Sequence, residues 1–225
     1  MTGGAFKAED LAALALSKDT LQERVYNHVR ELILDGSIVP GQMVTVQSLA
    51  NVFGVSAMPV REALRRLSAA NALTVVSGRS IGIPPLTRDR LVDLRNVRYE
   101  IEPIAAAWAA DRREQEDIEI CSASLQRLHD AELRGDSKGY VKANYAFHFA
   151  VYRAARSKNI LGIIENLWLQ ISPYFNMLHG SGNYTTSNEW HRKMLEALIK
   201  RDKQGLTTAL RADIDAAYVA LDKIL

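Results

Sequence analysis

The sequence predicts a mainly α chain in two parts: an N-terminal winged helix-turn-helix with a small β-hairpin, then an all-α antiparallel bundle of about six helices. Three observations carry this expectation. Apolar residues recur at helical spacing along most of the chain, the only β-prone runs are short ones at 73–76 and 81–83, and Pro84-Pro85 parts the mixed segment from a purely helical one. The expected divisions are a tail over 1–20, the winged unit over 21–85 and the helical domain over 86–225.

In the first part, Leu21, Val25, Val29, Leu32 and Ile33 share a helix face that Asp35-Gly36 ends, and Pro40-Gly41 marks a turn. A second, short helix follows over about 46–53, then the turn Gly54-Val55-Ser56, then a third helix over about 57–70. Two helices that cross steeply need a small residue at the crossing, a positive φ at the turn and apolar side chains inside the angle. Ala50 and Gly54 meet the first two needs, and Leu49, Phe53, Val55, Val60, Leu64 and Leu67 the third. Ser56 is placed to N-cap the third helix, and Pro59 falls in its first turn, where a missing N–H costs nothing. Ser77-Gly78-Arg79-Ser80 turns the hairpin. From Arg88 the pattern stays helical, broken at Gly135-Asp136, Ser157-Lys-Asn159, Gly180-Ser-Gly182 and about Asp202.

The chain has 225 residues, 48% hydrophobic and 24% charged, which is the balance of a soluble globular protein. No run approaches the roughly 18 apolar residues of a membrane span, and no secretion signal is read at the N-terminus. The single cysteine, Cys121, excludes an internal disulfide, fits a cytoplasmic protein and reads as a small buried hydrophobe. Net charge is only +2, but Arg61, Arg65, Arg66 and Arg79 stand between Ser56 and Thr87 with Glu62 as the only acid. Such a stretch either neutralises phosphates or is a solvated helix face. With the apolar side assigned to the core, the third helix exposes Arg66 at its margin and a face of Ala57, Met58, Arg61 and Arg65 that fits the DNA major groove. With Gln47, Ser56, Pro59, Gly78 and Arg79, these make the candidate DNA-contacting set.

The run Leu32-Ile-Leu-Asp-Gly-Ser-Ile-Val-Pro-Gly41, the pair Leu49-Ala50, and Val55-Ser-Ala-Met-Pro-Val-Arg-Glu-Ala-Leu-Arg-Arg-Leu67 resemble the GntR family of bacterial transcription regulators. The resemblance implies a wing tip at Gly78-Arg79 that reaches the minor groove. Ala57 departs from a family position often held by Arg or Lys, and Ala72 replaces a family Gly, which puts Asn71 in the left-handed position. The segment from Leu94 to Ala110 resembles the opening helix of the FadR-subfamily effector domain (the FCD domain), in its six-helix VanR-type form.

This resemblance implies a metal at the floor of an effector cavity, with Asn144, His148, His191 and Asp213 at the ligand positions. Asn144 and His148 are four apart and share a helix face. Zinc suits the set, with manganese or nickel as further options. Read without the family, His148 between Phe147 and Phe149 is a hydrogen-bonded core histidine. Arg98 is the expected partner of an anionic effector, against the alternative of an i,i+4 ion pair with Glu102. His28, His129 and His179 read as structural or surface groups, and Tyr140, Tyr145, Tyr152 and Trp168 stay unassigned between pocket and core. The resulting expectation is a homodimeric regulator, a repressor, that binds operator DNA under control of an organic acid or other anionic metabolite. The competing readings are a metal-responsive repressor and a two-histidine-carboxylate metalloenzyme.

Overall fold

The computed structural model describes residues 20–77, 80–175, 177–178 and 184–225. Helix α1 (Leu21–Leu34) starts where the Thr20 hydroxyl accepts a hydrogen bond from the Glu23 N–H, and it buries Val25, Val29, Ile33 and Leu34. Strand β1 (Met43–Thr45) runs into α2 (Val46–Phe53), whose start carries a reciprocal cap between Thr45 and Ser48. Gly54 ends α2 with φ 64°, a left-handed geometry that a side chain would oppose. Helix α3 (Ala57–Ala69) then buries Val60, Ala63, Leu64 and Leu67 inside the angle, as the apolar spacing requires.

Asn71 takes φ 55°, the left-handed position expected of it. Strands β2 (Thr74–Ser77) and β3 (Ser80–Gly82) follow. The expected two-stranded hairpin is a three-stranded antiparallel sheet of order β1-β3-β2, with both Met43 and Thr74 opposite Gly82. Strand β1 leaves no local signal, because three residues cannot show an alternation and its partner lies beyond two intervening helices.

Six helices complete the described chain: α4 (Arg88–Arg112), α5 (Gln115–Arg134), α6 (Ser137–Ala154), α7 (Lys158–Phe175), α8 (Tyr184–Lys200) and α9 (Lys203–Asp222). The number matches the expectation, although Lys158 and Asn159, expected in a break, belong to α7. The break at 180–182 and the tail over 1–19 lie outside the described residues. Helix α4 lies against α6, α7, α8 and α9. Its alanines 105, 106, 109 and 110 are fully buried, and such small side chains let neighbouring axes approach closely. Caps set the starts of the helices that carry the site. Asp136 accepts from the Gly139 N–H at the start of α6, and Asp202 from the Gly205 N–H at the start of α9, each at 2.9 Å. A Cβ on either glycine would collide with the capping carboxylate.

The N-terminal unit rests on α6 and α7. Arg30 of α1 pairs with Glu165 at 2.9 Å and donates to the Tyr145 hydroxyl at 3.5 Å. Arg90 donates to the Asn71 carbonyl at 2.9 Å and to Gln170 at 3.2 Å, while the Tyr174 hydroxyl donates to the carbonyl of Pro84. Among the described residues, no helix is long and apolar enough to cross a membrane.

Candidate functional site

The exposed face of α3 is built by subtraction: once Val60, Ala63, Leu64 and Leu67 are buried, Met58, Arg61 and Arg65 remain in solvent. Arg61 makes no hydrogen bond or ion pair among the described residues. Arg65 is tied to Glu62 by two hydrogen bonds of 2.6 and 3.0 Å, both groups being exposed. Arg66 turns back onto α1, where it pairs with Glu23 at 2.8 Å and lies 3.7 Å over the Tyr26 ring. Gln47 is exposed on α2 and donates to Asn51 at 2.9 Å.

Two expectations are corrected. Pro59 is buried rather than presented on the face. Ser56 occupies the N-cap position in extended geometry, but its side chain makes no capping bond. The reason is Pro59 itself, which stands third in the helix, where the usual partner N–H would be, and has none. Ala57 is half-buried, and Gly78 and Arg79 lie outside the described residues.

The second site is a cavity inside the helical part, about 670 Å³ of void with its open mouth included. Helix α6 contributes Tyr140, Asn144 and His148, one turn apart on one face, α4 contributes Arg98, and α7 contributes Trp168. Asp213 comes from α9 and Ser187 from α8. Phe175, Leu178 and three alanines of α9 make the other wall apolar.

Three of the expected ligands converge. His148 Nε2 lies 3.1 Å from His191 Nε2 and 3.3 Å from Asp213 Oδ2, and His191 Nε2 lies 3.8 Å from Asp213 Oδ1. All three side chains are buried. Two donors held about 2.0–2.1 Å from one zinc ion in tetrahedral directions lie roughly 3.3 Å apart, so the spacing is that of a ligand set. Burial lowers His191 to about 4 despite the opposing pull of Asp213, so at neutral pH its imidazole is in the uncharged, ligating form. Burial alone would raise the Asp213 carboxyl, but His191, His148 and the Ser187 hydroxyl, which donates at 2.8 Å, together hold it down at about 2. Asn144 lines the same cavity, on the same face of α6 as His148.

Arg98 makes the i,i+4 pair with Glu102 and also lines the cavity. It is buried and donates to Glu102 at 2.6 and 3.3 Å. Glu102 is fully buried and also accepts from the Tyr152 hydroxyl, a role that sequence reasoning did not give it. Its only local signal was the four-residue spacing from Arg98. Trp168 is a wall residue whose indole N–H has no hydrogen-bond partner among the described residues. It also meets Tyr145, which stacks on Phe149 with ring centres 4.1 Å apart. Tyr145 and Tyr152 thus pack behind the cavity, while Tyr140 and Trp168 line it.

Comparison with known proteins decides the family. Residues 21–83 match the bacterial regulatory proteins of the gntR family, and residues 93–216 match the FCD domain. The chain belongs to the GntR family. It is 29% identical over 205 residues to the transcriptional regulator McbR of Escherichia coli, covering 90% of this chain and 92% of that one. It is 26% identical over 210 residues to a probable D-xylose utilization operon transcriptional repressor of Paenarthrobacter nicotinovorans, covering 93% and 92%. The solved structure of McbR superposes with a TM-score of 0.85 at 27% identity, over 92% of this chain and 99% of that one. A Rhodococcus GntR regulator at 17% identity and TM-score 0.75 shares the fold. This GntR chain is a DNA-binding transcriptional regulator and not an enzyme.

Proposed function

We propose that this GntR regulator is a cytoplasmic repressor that binds a pseudo-palindromic operator as a homodimer and is controlled by an acidic metabolite held at a divalent ion in the helical cavity. One observation carries the control step: His148, His191 and Asp213 converge at a cavity whose wall also includes Arg98 and Trp168. His148, His191, Asp213 and Asn144 would hold the ion, zinc first and manganese or nickel as alternatives. When bound, the ion supplies a Lewis-acidic centre that takes an oxygen of the effector. Arg98 adds an anion partner, since Glu102 engages only its Nε and Nη2 groups.

In the N-terminal part, one winged unit over 21–85 serves each half-site, and the effector domain spans 86–225. Arg61 is the principal reader, free to meet a guanine edge or a phosphate. Met58 and Ala57 offer apolar contact to a thymine methyl, and Gln47, Ser56 and Arg65 contact the backbone. Signal passage has a contiguous route. Trp168 at the cavity meets Tyr145, and Tyr145 accepts from Arg30 on α1. An effector that favours one arrangement by a typical 1–3 kcal/mol would reset the spacing of the two reading heads.

The test is elemental analysis of the purified protein, followed by a thermal-shift screen of carboxylic acids on metal-loaded and chelator-stripped samples. A bound divalent ion, and an acid that raises the melting temperature only when metal is present, are the expected results. Operator affinity that follows metal alone would favour a metal-responsive repressor instead.

A further inference from the structure

Behind the three converging donors runs a closed row of four buried side chains. Arg98 donates twice to the Glu102 carboxylate, and the Tyr152 hydroxyl donates to Oε2 of that carboxylate at 2.5 Å. The Tyr152 oxygen in turn lies 3.2 Å from Nδ1 of His148. All four residues are at most 4% exposed, so water does not compete for these bonds.

The order of donors along this row is forced. A carboxylate clamped by a guanidinium can only accept, so the single Tyr152 proton goes to Glu102. The Tyr152 oxygen then offers His148 lone pairs alone, and Nδ1 must be the ring nitrogen that carries hydrogen. A neutral imidazole carries one N–H, which leaves Nε2 with a bare lone pair. Nε2 is the atom that faces His191 Nε2 and Asp213 Oδ2. The Asp213 carboxylate contributes lone pairs as well, so His148 and Asp213 turn electron pairs toward one point that a cation would satisfy.

We infer that Glu102 and Tyr152 are positioning residues: they lock His148 in its Nδ1–H tautomer, hold Nε2 ready for a divalent cation, and tie that readiness to the Arg98 pair in the effector cavity. The inference rests on the metal reading proposed above. His191 differs, because its Nδ1 has no hydrogen-bond partner among the described residues and its Nε2 carries hydrogen only by donating to the bare His148 Nε2 at 3.1 Å, a bond that an ion between the two would replace. His148 is therefore the pre-set ligand and His191 the one that adapts. Groups behind a ligating histidine that fix its tautomer typically change metal affinity about 10–100-fold when removed.

Two measurements test this. Two-bond ¹⁵N–¹H correlation spectra of the metal-stripped, histidine-labelled wild-type protein, at mildly alkaline pH, read the His148 tautomer directly and need no variant. The expected signal is Nδ1–H, and a proton on Nε2 would overturn the lock. In the second, Zn²⁺ is titrated against a chromophoric chelator for the wild type, Tyr152→Phe, and Tyr145→Phe as a hydroxyl deletion away from the donors. Tyr152→Phe is expected to bind zinc 10–100-fold more weakly, with Tyr145→Phe unchanged. Equal zinc affinity in Tyr152→Phe and wild type overturns the inference while leaving the metal reading intact. A wild type that takes up no zinc, manganese or nickel overturns the metal reading, and with it the positioning role.

Discussion

Arg61 and Arg98 are the same side chain in opposite settings. Arg61 stands in solvent on α3 and pairs with no acid among the described residues, its neighbour Glu62 being tied to Arg65, whereas Arg98 is buried on α4 and clamped to Glu102. A bare exposed charge contributes almost nothing to the fold and is left for an outside partner such as phosphate. A buried, compensated charge shapes an interior and is costly to disturb from one side only. On the roles proposed above, stability and recognition are separable on α3 and entangled in the cavity.

The largest effect should come from breaking that entanglement. Arg98→Ala leaves Glu102 buried without its counter-ion and should cost about 3–5 kcal/mol of unfolding free energy in chemical denaturation. The double variant Arg98→Met with Glu102→Leu should recover most of the loss, and failure to recover it would mean that the pair is not the source. Arg61→Ala should behave in the reverse way. Its stability should stay within about 0.5 kcal/mol of wild type, while operator binding weakens by about 1–3 kcal/mol if Arg61 reads a base. A gel-shift affinity that does not change would remove Arg61 from the reading face.

The contact between the two regions should give a smaller effect. Arg30→Gln breaks a half-buried pair with Glu165 and should cost under about 1 kcal/mol, with the difference shrinking at high salt. Its sharper signature should be a weaker influence of metal and effector on operator affinity, measured by titration. The smallest effect belongs to Cys121. Burial pushes its thiol up to about 12, so a thiol reagent should not react until the protein unfolds.

Much of the reading region was legible because its determinants are local. Ala50, Gly54, the apolar spacing of α3 and the left-handed Asn71 all act within a few residues of where they stand. What failed there failed for equally local reasons that a motif hides: Ser56 looks like a cap until Pro59 removes its partner. Strand β1 was lost because a three-residue strand is defined only by its distant neighbour. At the cavity, the residue types alone left His148 open between ligand and core, and the family resemblance supplied the candidate set. The structure adds the convergence of His148, His191 and Asp213 from three different helices. Tyr152 and Glu102 stayed unread because their roles depend on which lone pair meets which proton across fifty positions of sequence.

Helix α7 gives the molecule a lever. Trp168 and Phe175 wall the cavity, while Glu165, Gln170 and Tyr174 of the same helix grip Arg30, Arg90 and the Pro84 carbonyl. At 1.5 Å per residue its 18 residues make a rod roughly 27 Å long. A tilt of about 5° around its middle would displace each end by roughly 1 Å. A ligand that wedges Trp168 aside therefore need not melt or unfold anything: leverage alone would carry its size to Tyr174 and the Pro84 carbonyl at the base of the wing.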